Sequence, residues 1–409
     1  MTRSVSRNTI LSVAAAVLLL LGFADLVRGG ETLAPILLVV GYVVLVPLAL
    51  IARRQDPPSP RVDRQRRAAE RRSYGTGASR LTTHQRGLLL ASPVLLVAFV
   101  PLVANWHAAG RRGDYTTIAF AHDLLDSVEP YGVLVTYGDN DTFPLWYAQE
   151  VEGIRKDVTV AVLSLLNTDW YVRGIIRRPI YQYDEANGPA IYRGRSWPKP
   201  TGSPMRLTLA GADSIPDYVL LRQPMSLRKA GLTATVSPEN LPRTADGSGI
   251  LERKDIAVLR MIADSWPQRP IYFSRTTGNY AQSLGLDRFV LSQGLANKLF
   301  LPPGTASRDT VALRGAGWFD LPRSKTLFMD VFQGPRAIEQ HGDWVDRPSV
   351  GIPLTYVFAA EELAAVLRAQ GQSASAAAVL DTSSRIAHAV HEDSNYAAIH
   401  NAWQSVTRQ

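Results

Sequence analysis

Three stretches of the sequence carry side chains able to do chemistry. The triplet Asp139-Asn140-Asp141, followed by Thr142, offers hard oxygen donors. Such a set can hold Mg2+ or Ca2+, or hydrogen-bond sugar hydroxyls; the same residue types also build turns and cap helices. Two adjacent acids exceed what one cap requires, so Asp139 and Asp141 are the candidate metal ligands. The second polar run is Asn167-Thr168-Asp169. Trp146, Tyr147, Trp170 and Tyr171 flank the two runs, with rings that can stack on a sugar or fill a core. The third stretch is His388, His391 and Glu392. Histidines three apart on a helix can share a metal, but no third ligand is visible and solvent-facing imidazoles are expected.

Other chemistries are excluded by what is missing. There is no glycine-rich phosphate loop, nucleophile elbow or zinc-protease motif. The chain has no cysteine, which removes disulfides, thiolate metal sites and cysteine nucleophiles and is compatible with an oxidising compartment. The net charge of +8 is concentrated in residues 53–86, where ten arginines face three acids. The remainder is near neutral, and no nucleic-acid partner is expected.

The elements that must position these residues follow from hydrophobic spacing. A helix is expected over 115–128, then a short β-branched strand over 132–137 that runs into the Asp139 cluster. Pro144 fits the first turn of the next helix, which stops at Gly153. A second strand over 157–163 leads into the Asn167 run and a helix ending before Pro179. This order is a βαβ unit with parallel strands, which puts both polar runs at the carboxyl ends of strands, where open α/β sheets form binding crevices. Residues 180–250 read as an irregular insertion with strand-like pieces at 217–221 and 232–236. A helix from 255 and a third parallel strand at 270–274 follow, and 287–299 reads as helical. The end of the chain reads as a tetratricopeptide-like helical hairpin, 356–366 and 374–391, broken at Gly371. The expected fold is α/β with a mostly parallel sheet.

Ahead of that domain lie apolar runs at 10–27, 33–52 and 87–105, each of the length that crosses a bilayer. Arg3 and Arg7 before the first run and the Arg-rich linker 53–86 before the third set the direction. The N-terminus is expected in the cytoplasm, the turn 29–32 outside, the linker inside on anionic lipid headgroups, and everything after 106 extracytoplasmic. The expected domains are a membrane region 1–106, an α/β domain 107–345 and a C-terminal hairpin 346–409.

Several of these residues also carry a family resemblance. Gly138-Asp139-Asn140-Asp141-Thr142-Phe143-Pro144-Leu145-Trp146-Tyr147, with Gln149-Glu150-Val151-Glu152-Gly153 after it, resembles the hallmark of the bacterial domain of unknown function 2723 family. Leu163 to Tyr171, Arg269-Pro270-Ile271-Tyr272-Phe273, Gly294-Leu295-Ala296 and the terminal hairpin fit the same pattern in order. That family is similar to protein O-mannosyltransferases of the transmembrane protein 260 type, whose GT-C fold uses lipid-linked sugars. The resemblance implies catalysis in a multi-helix N-terminal half, with an acidic residue in its first external loop. Here the short external loop has only Glu31, so no catalytic residue is carried over. The resemblance implies a periplasmic accessory domain at the inner membrane of a bacterium, with a multi-pass GT-C glycosyltransferase as partner. A self-sufficient metal-dependent enzyme acting on glycans and a non-catalytic scaffold are the alternatives.

Overall fold

A computed structural model describes residues 7–28, 33–46, 49, 100–106, 110, 112–304, 307–313, 317–342, 344 and 346–407. The chain divides into two compact units, Met1–Val103 and Ala104–Gln409. In the first, α1 (Arg7–Val27) packs on α2 (Leu33–Val39), which continues as a π-helical turn, Val40–Leu45. Gly41 permits that approach: a Cβ there would lie 2.6 Å from Leu19.

The three expected membrane spans are not clearly present. Among the described residues one helix is long and apolar enough to cross a membrane, Arg347–Ala369, and 72% of its apolar window is buried inside the protein. A core helix of a folded domain has that same composition. The apolar stretch of α1, Ile10–Asp25, is shorter. The turn 29–32, the Arg-rich linker 53–86 and most of the third run, 87–105, lie outside the described residues.

The second unit is built on a mixed seven-stranded sheet. It begins with α3 (Thr116–Asp126), whose Phe120, Leu124 and Leu125 are buried. β1 (Val133–Thr136) is entirely buried; α4 (Asp139–Trp146) and a π-helical turn, Tyr147–Val151, connect it to the parallel β2 (Thr159–Val162). After α5 (Asp169–Arg177) the insertion makes two separate two-stranded sheets. β3 (Tyr218–Leu221) pairs with β6 (Gly249–Glu252), and β4 (Met225–Lys229) pairs with β5 (Leu232–Val236). The capped helix α6 (Arg253–Ser265) then feeds β7 (Ile271–Ser274), which lies parallel to β1 as expected.

The stretch 287–299 is not a helix but an antiparallel hairpin, β8 (Val290–Gln293) and β9 (Ala296–Leu299). Gly294 supplies the left-handed φ of 60° at its turn. β10 (Thr310–Leu313) and β11 (Gly317–Asp320) complete the sheet, whose order is β10-β11-β8-β9-β7-β1-β2, with β11 parallel to β8. The parallel character therefore belongs to β7-β1-β2 and recurs at β11-β8, while the hairpins are antiparallel. Short helices α7 (Leu321–Thr326) and α8 (Gly334–His341) lead to α9 (Gly351–Ala369) and α10 (Ser373–Ala389). The expected hairpin is extended by a third helix, α11 (Asp393–Thr407).

Buried polar side chains fix the frame of the parallel strands. Arg155 donates to Asp157 (3.0 Å) and to the carbonyls of Leu125 (2.8 Å) and Val128 (3.0 Å), tying the end of α3 to the start of β2. Arg269 reaches the Tyr131 carbonyl (2.7 Å) and the Thr159 hydroxyl (2.8 Å), joining the beginnings of β7, β1 and β2. Asp123 accepts from the Gln333 and Gly334 N–H groups (2.8 and 2.7 Å) and the Tyr356 hydroxyl (2.7 Å), anchoring α8 and α9 to α3.

Candidate functional site

The turn after β1 starts α4 earlier than the proline implies. Gly138, with φ 84°, is the N-cap, and Asp139, Asn140 and Asp141 form the first helical turn. The two acids there oppose the positive helix end. Pro144 consequently sits inside the helix, where it cannot donate to the Asn140 carbonyl. The helix then widens into the π turn at Tyr147, a form concentrated at functional sites.

One face of this helix is solvent-facing. Asp139 and Asn140 lie four and three residues before Phe143, Tyr147 lies four after it, and all are exposed, Phe143 by 60%. Asp141 turns the other way and is fully buried. Its carboxylate accepts from the Tyr137 N–H at 3.4 Å and from the Thr276 hydroxyl, which also contacts the Ser274 hydroxyl at 2.8 Å. Among the described residues its second oxygen, Oδ1, is buried with no hydrogen-bond partner, as is the Thr136 hydroxyl at the end of β1. Burial pushes the Asp141 carboxyl up to about 6, against the lowering effect of the Thr276 and Tyr137 hydrogen bonds.

With Asp139 exposed and Asp141 buried, the two carboxylates are not presented together to one ion. Among the described residues no group of three or more His, Asp or Glu is arranged to hold a metal. His388 and His391 do not share a helix face either: α10 ends at Ala389, and His391 takes a left-handed φ of 59°. His388 instead contacts Asp393 at 3.3 Å, and Glu392 accepts from Arg347 at 3.4 Å.

The second polar run is brought to the same end of the sheet, where it is bound to α6. The Asn167 Oδ1 accepts from the Lys254 N–H at 2.9 Å, and its amide donates to Glu252 at 3.4 Å. Asp169 pairs at 2.5 Å with Arg253, a buried guanidinium that also donates to the carbonyls of Ala212 and Ile215. These polar side chains fasten the β2–α5 loop to the insertion and to α6. Thr142 is buried and donates to the Gly138 carbonyl at 2.6 Å.

The aromatic residues form a continuous strip across α4 and α5. Phe143 meets Trp146 edge-on at 6.2 Å, Trp146 lies 6.4 Å from Tyr171, and Tyr171 meets Trp170 edge-on at 5.5 Å. Tyr171 is the anchor: its hydroxyl donates to the Val160 carbonyl (3.0 Å) and accepts from the Val162 N–H (3.1 Å), and burial pushes it up to about 12. The ends of the strip face water, Trp170 by 59%. Thr276, Ser274, Arg253 and the exposed ring of Phe143 were not selected from the sequence. The polar run Ser274-Arg275-Thr276-Thr277-Gly278 after the third parallel strand was the available signal.

A separate cavity of about 440 Å3 opens at the other end of the parallel strands, where Tyr131, Trp197, Trp266, Pro270, Lys298 and Phe300 line it. Its charged members are satisfied: Glu129 accepts from Lys298 at 2.7 Å and Arg323 at 3.0 Å.

Fold and site together define a mixed α/β domain with C-terminal helices that displays an aromatic strip and polar side chains at the carboxyl ends of adjacent parallel strands. Residues 117–189 match the family described as TMEM260-associated domain 2. The match runs from α3 through α5 and so contains the βαβ unit, both polar runs and the whole aromatic strip. The chain is thus related to TMEM260-type proteins over that region. No curated protein and no solved structure matches it.

Proposed function

We propose that this chain is the extracytoplasmic recognition domain of a TMEM260-type, GT-C glycosyltransferase system, holding glycan or acceptor for a multi-pass partner. The aromatic strip carries the reading. Exposed rings of Phe143 and Trp170, with Asp139 and Asn140 on the face that bears Phe143, pair apolar surfaces for sugar C–H groups with hydrogen-bonding groups for hydroxyls. The strip falls inside the matched region 117–189. Membrane anchorage through the N-terminal apolar runs, an inward-facing Arg-rich linker on anionic headgroups, and a periplasmic position in a bacterial envelope belong to the same proposal; they rest on the hydropathy and charge of residues 1–106. The likeness to the domain of unknown function 2723 family supports the partner's class.

The test is binding of the detergent-solubilised full chain to immobilised glycans, with and without Trp170→Ala. Loss of one stacking ring should weaken binding about tenfold. Trp197→Ala, in the cavity at the opposite end of the strands, should leave binding unchanged. If Trp197→Ala weakens binding and Trp170→Ala does not, the strip is not the site.

A further inference from the structure

Two central parallel strands, β1 and β7, end at a switch point of the sheet. β1 lies between β7 and β2, and the loop after β1 leads toward β2 while the loop after β7 leads toward β9 and β8. Loops that part in this way open a crevice at the carboxyl ends of the strands, where open α/β sheets bind ligands. The polar side chains beneath it come from both loops. Val135 lies opposite Phe273, so one step further Thr136 stands beside Ser274, about 4.8 Å away across the sheet and with its side chain on the same face. Asp141 reaches this place from the first turn of α4. Its Oδ2 accepts from Thr276, whose hydroxyl contacts that of Ser274, and the Ser274 hydroxyl also acts on the Asp141 carboxyl.

One carboxylate and the hydroxyls of Thr136, Ser274 and Thr276 are thus gathered at one point. Asp141, Thr136 and Ser274 are buried, and among the described residues neither Asp141 Oδ1 nor the Thr136 hydroxyl has a hydrogen-bond partner. Charge is the larger deficit. A buried carboxylate is paired with a cationic side chain, protonated, or bound to a metal ion. The groups that act on Asp141 are the two hydroxyls and the Tyr137 N–H, with no cationic side chain among them. Arg275, beside Thr276 in the loop, is committed to Glu362 and to the Gly294 carbonyl (2.7 Å). The N-terminus of α4 supplies about half a positive charge and shares it with Asp139. A water molecule could join the two unpartnered oxygens but brings no charge.

We propose that Asp141, Thr136, Ser274 and Thr276 hold an alkali cation, sodium or potassium, beneath the crevice. Carboxylate and hydroxyl oxygens are hard donors suited to such an ion. A single carboxylate among neutral oxygens balances one positive charge, whereas a divalent ion would leave a charge uncompensated in a buried place. The ion ties the first turn of α4, which carries Asp139 and Asn140, to the loop after β7.

The test uses the full chain, purified in mild detergent and exchanged into choline chloride at about pH 8, where the carboxyl is ionised. It is melted with NaCl or KCl replacing choline at fixed ionic strength. One of the two salts should raise the melting temperature saturably, by about 2–4 °C at ten times its half-saturating concentration. Thr136→Val removes one ligand oxygen together with an unpartnered buried hydroxyl. In choline it should melt no lower than the unmutated chain, and its half-saturating salt concentration should rise at least about tenfold. Asp141→Asn should abolish the salt response. Equal melting in choline, sodium and potassium would overturn the proposal and leave water as the bridging group. So would an unchanged salt response in Thr136→Val, or a Thr136→Val chain that melts lower in choline. A response to MgCl2 or CaCl2 in place of the alkali salts would also overturn it, by assigning a divalent ion.

Discussion

Asp141 and Asp139 are two residues apart, yet the fold sends them into different solvents. Asp139 lies on the watery face of α4, while Asp141 is buried against Thr276, 135 positions away in sequence. Residue types alone read both as ligands or caps; the contact that separates them is non-local. The consequence is a pH dependence. Burial raises the Asp141 carboxyl from 3.8 to about 6. Between those values the native state keeps a proton that the unfolded chain has lost. Its contribution to stability is therefore complete below about pH 4 and is lost as pH rises through about 6. The effect is at most on the order of 3 kcal/mol. Asp141→Asn should flatten that part of the melting-temperature profile while leaving glycan binding at the strip intact. Asp123, which burial raises to about 7, supplies a residual slope that the variant retains. A profile identical to that of the unmutated chain would show that Asp141 is not its source.

At the level of elements, hydrophobic period and turn chemistry located most of the parallel frame. α3, β1, β2, α5 and β7 fall within a few residues of their expected places because each is a short buried run closed by Gly, Pro or Asp. The failures have physical causes. The run at 287–299 is apolar without a clear period, and only the left-handed Gly294 reveals a hairpin. Pro144 marked the wrong turn of α4 because the positive-φ Gly138, six residues earlier, caps the start of the helix. For the site, the sequence supplied the two polar runs and the rings. It did not show that Asn167 and Asp169 are taken up by α6, because their partners Lys254 and Arg253 are more than eighty positions distant. The docking of α8 and α9 on α3 was likewise invisible, although it depends on one small residue. A Cβ on Gly334 would sit 2.0 Å from the Tyr356 hydroxyl and 2.8 Å from Asp123 Oδ2. Gly334→Ala should cost about 1–3 kcal/mol in chemical denaturation, by forcing apart the Asp123 hydrogen bonds. A stability change within experimental error would mean that α8 can shift freely.

For the whole molecule, the two units carry different information. The excess positive charge and the apolar runs belong to residues 1–106, while the folded unit from Ala104 onward is near neutral and presents the aromatic strip. The proposed membrane-held, glycan-recognising role rests on that division, and the match over residues 117–189 relates the βαβ part to TMEM260-type proteins. The central claim is that this unit serves a glycosyltransferase. The direct measurement is purification of the tagged full chain from its native membrane in mild detergent, with mass spectrometry of whatever accompanies it. The account predicts recovery of a multi-pass GT-C glycosyltransferase in near-stoichiometric amount. Recovery of the chain with no such protein, from membranes in which the transferase is present and solubilised, would contradict it.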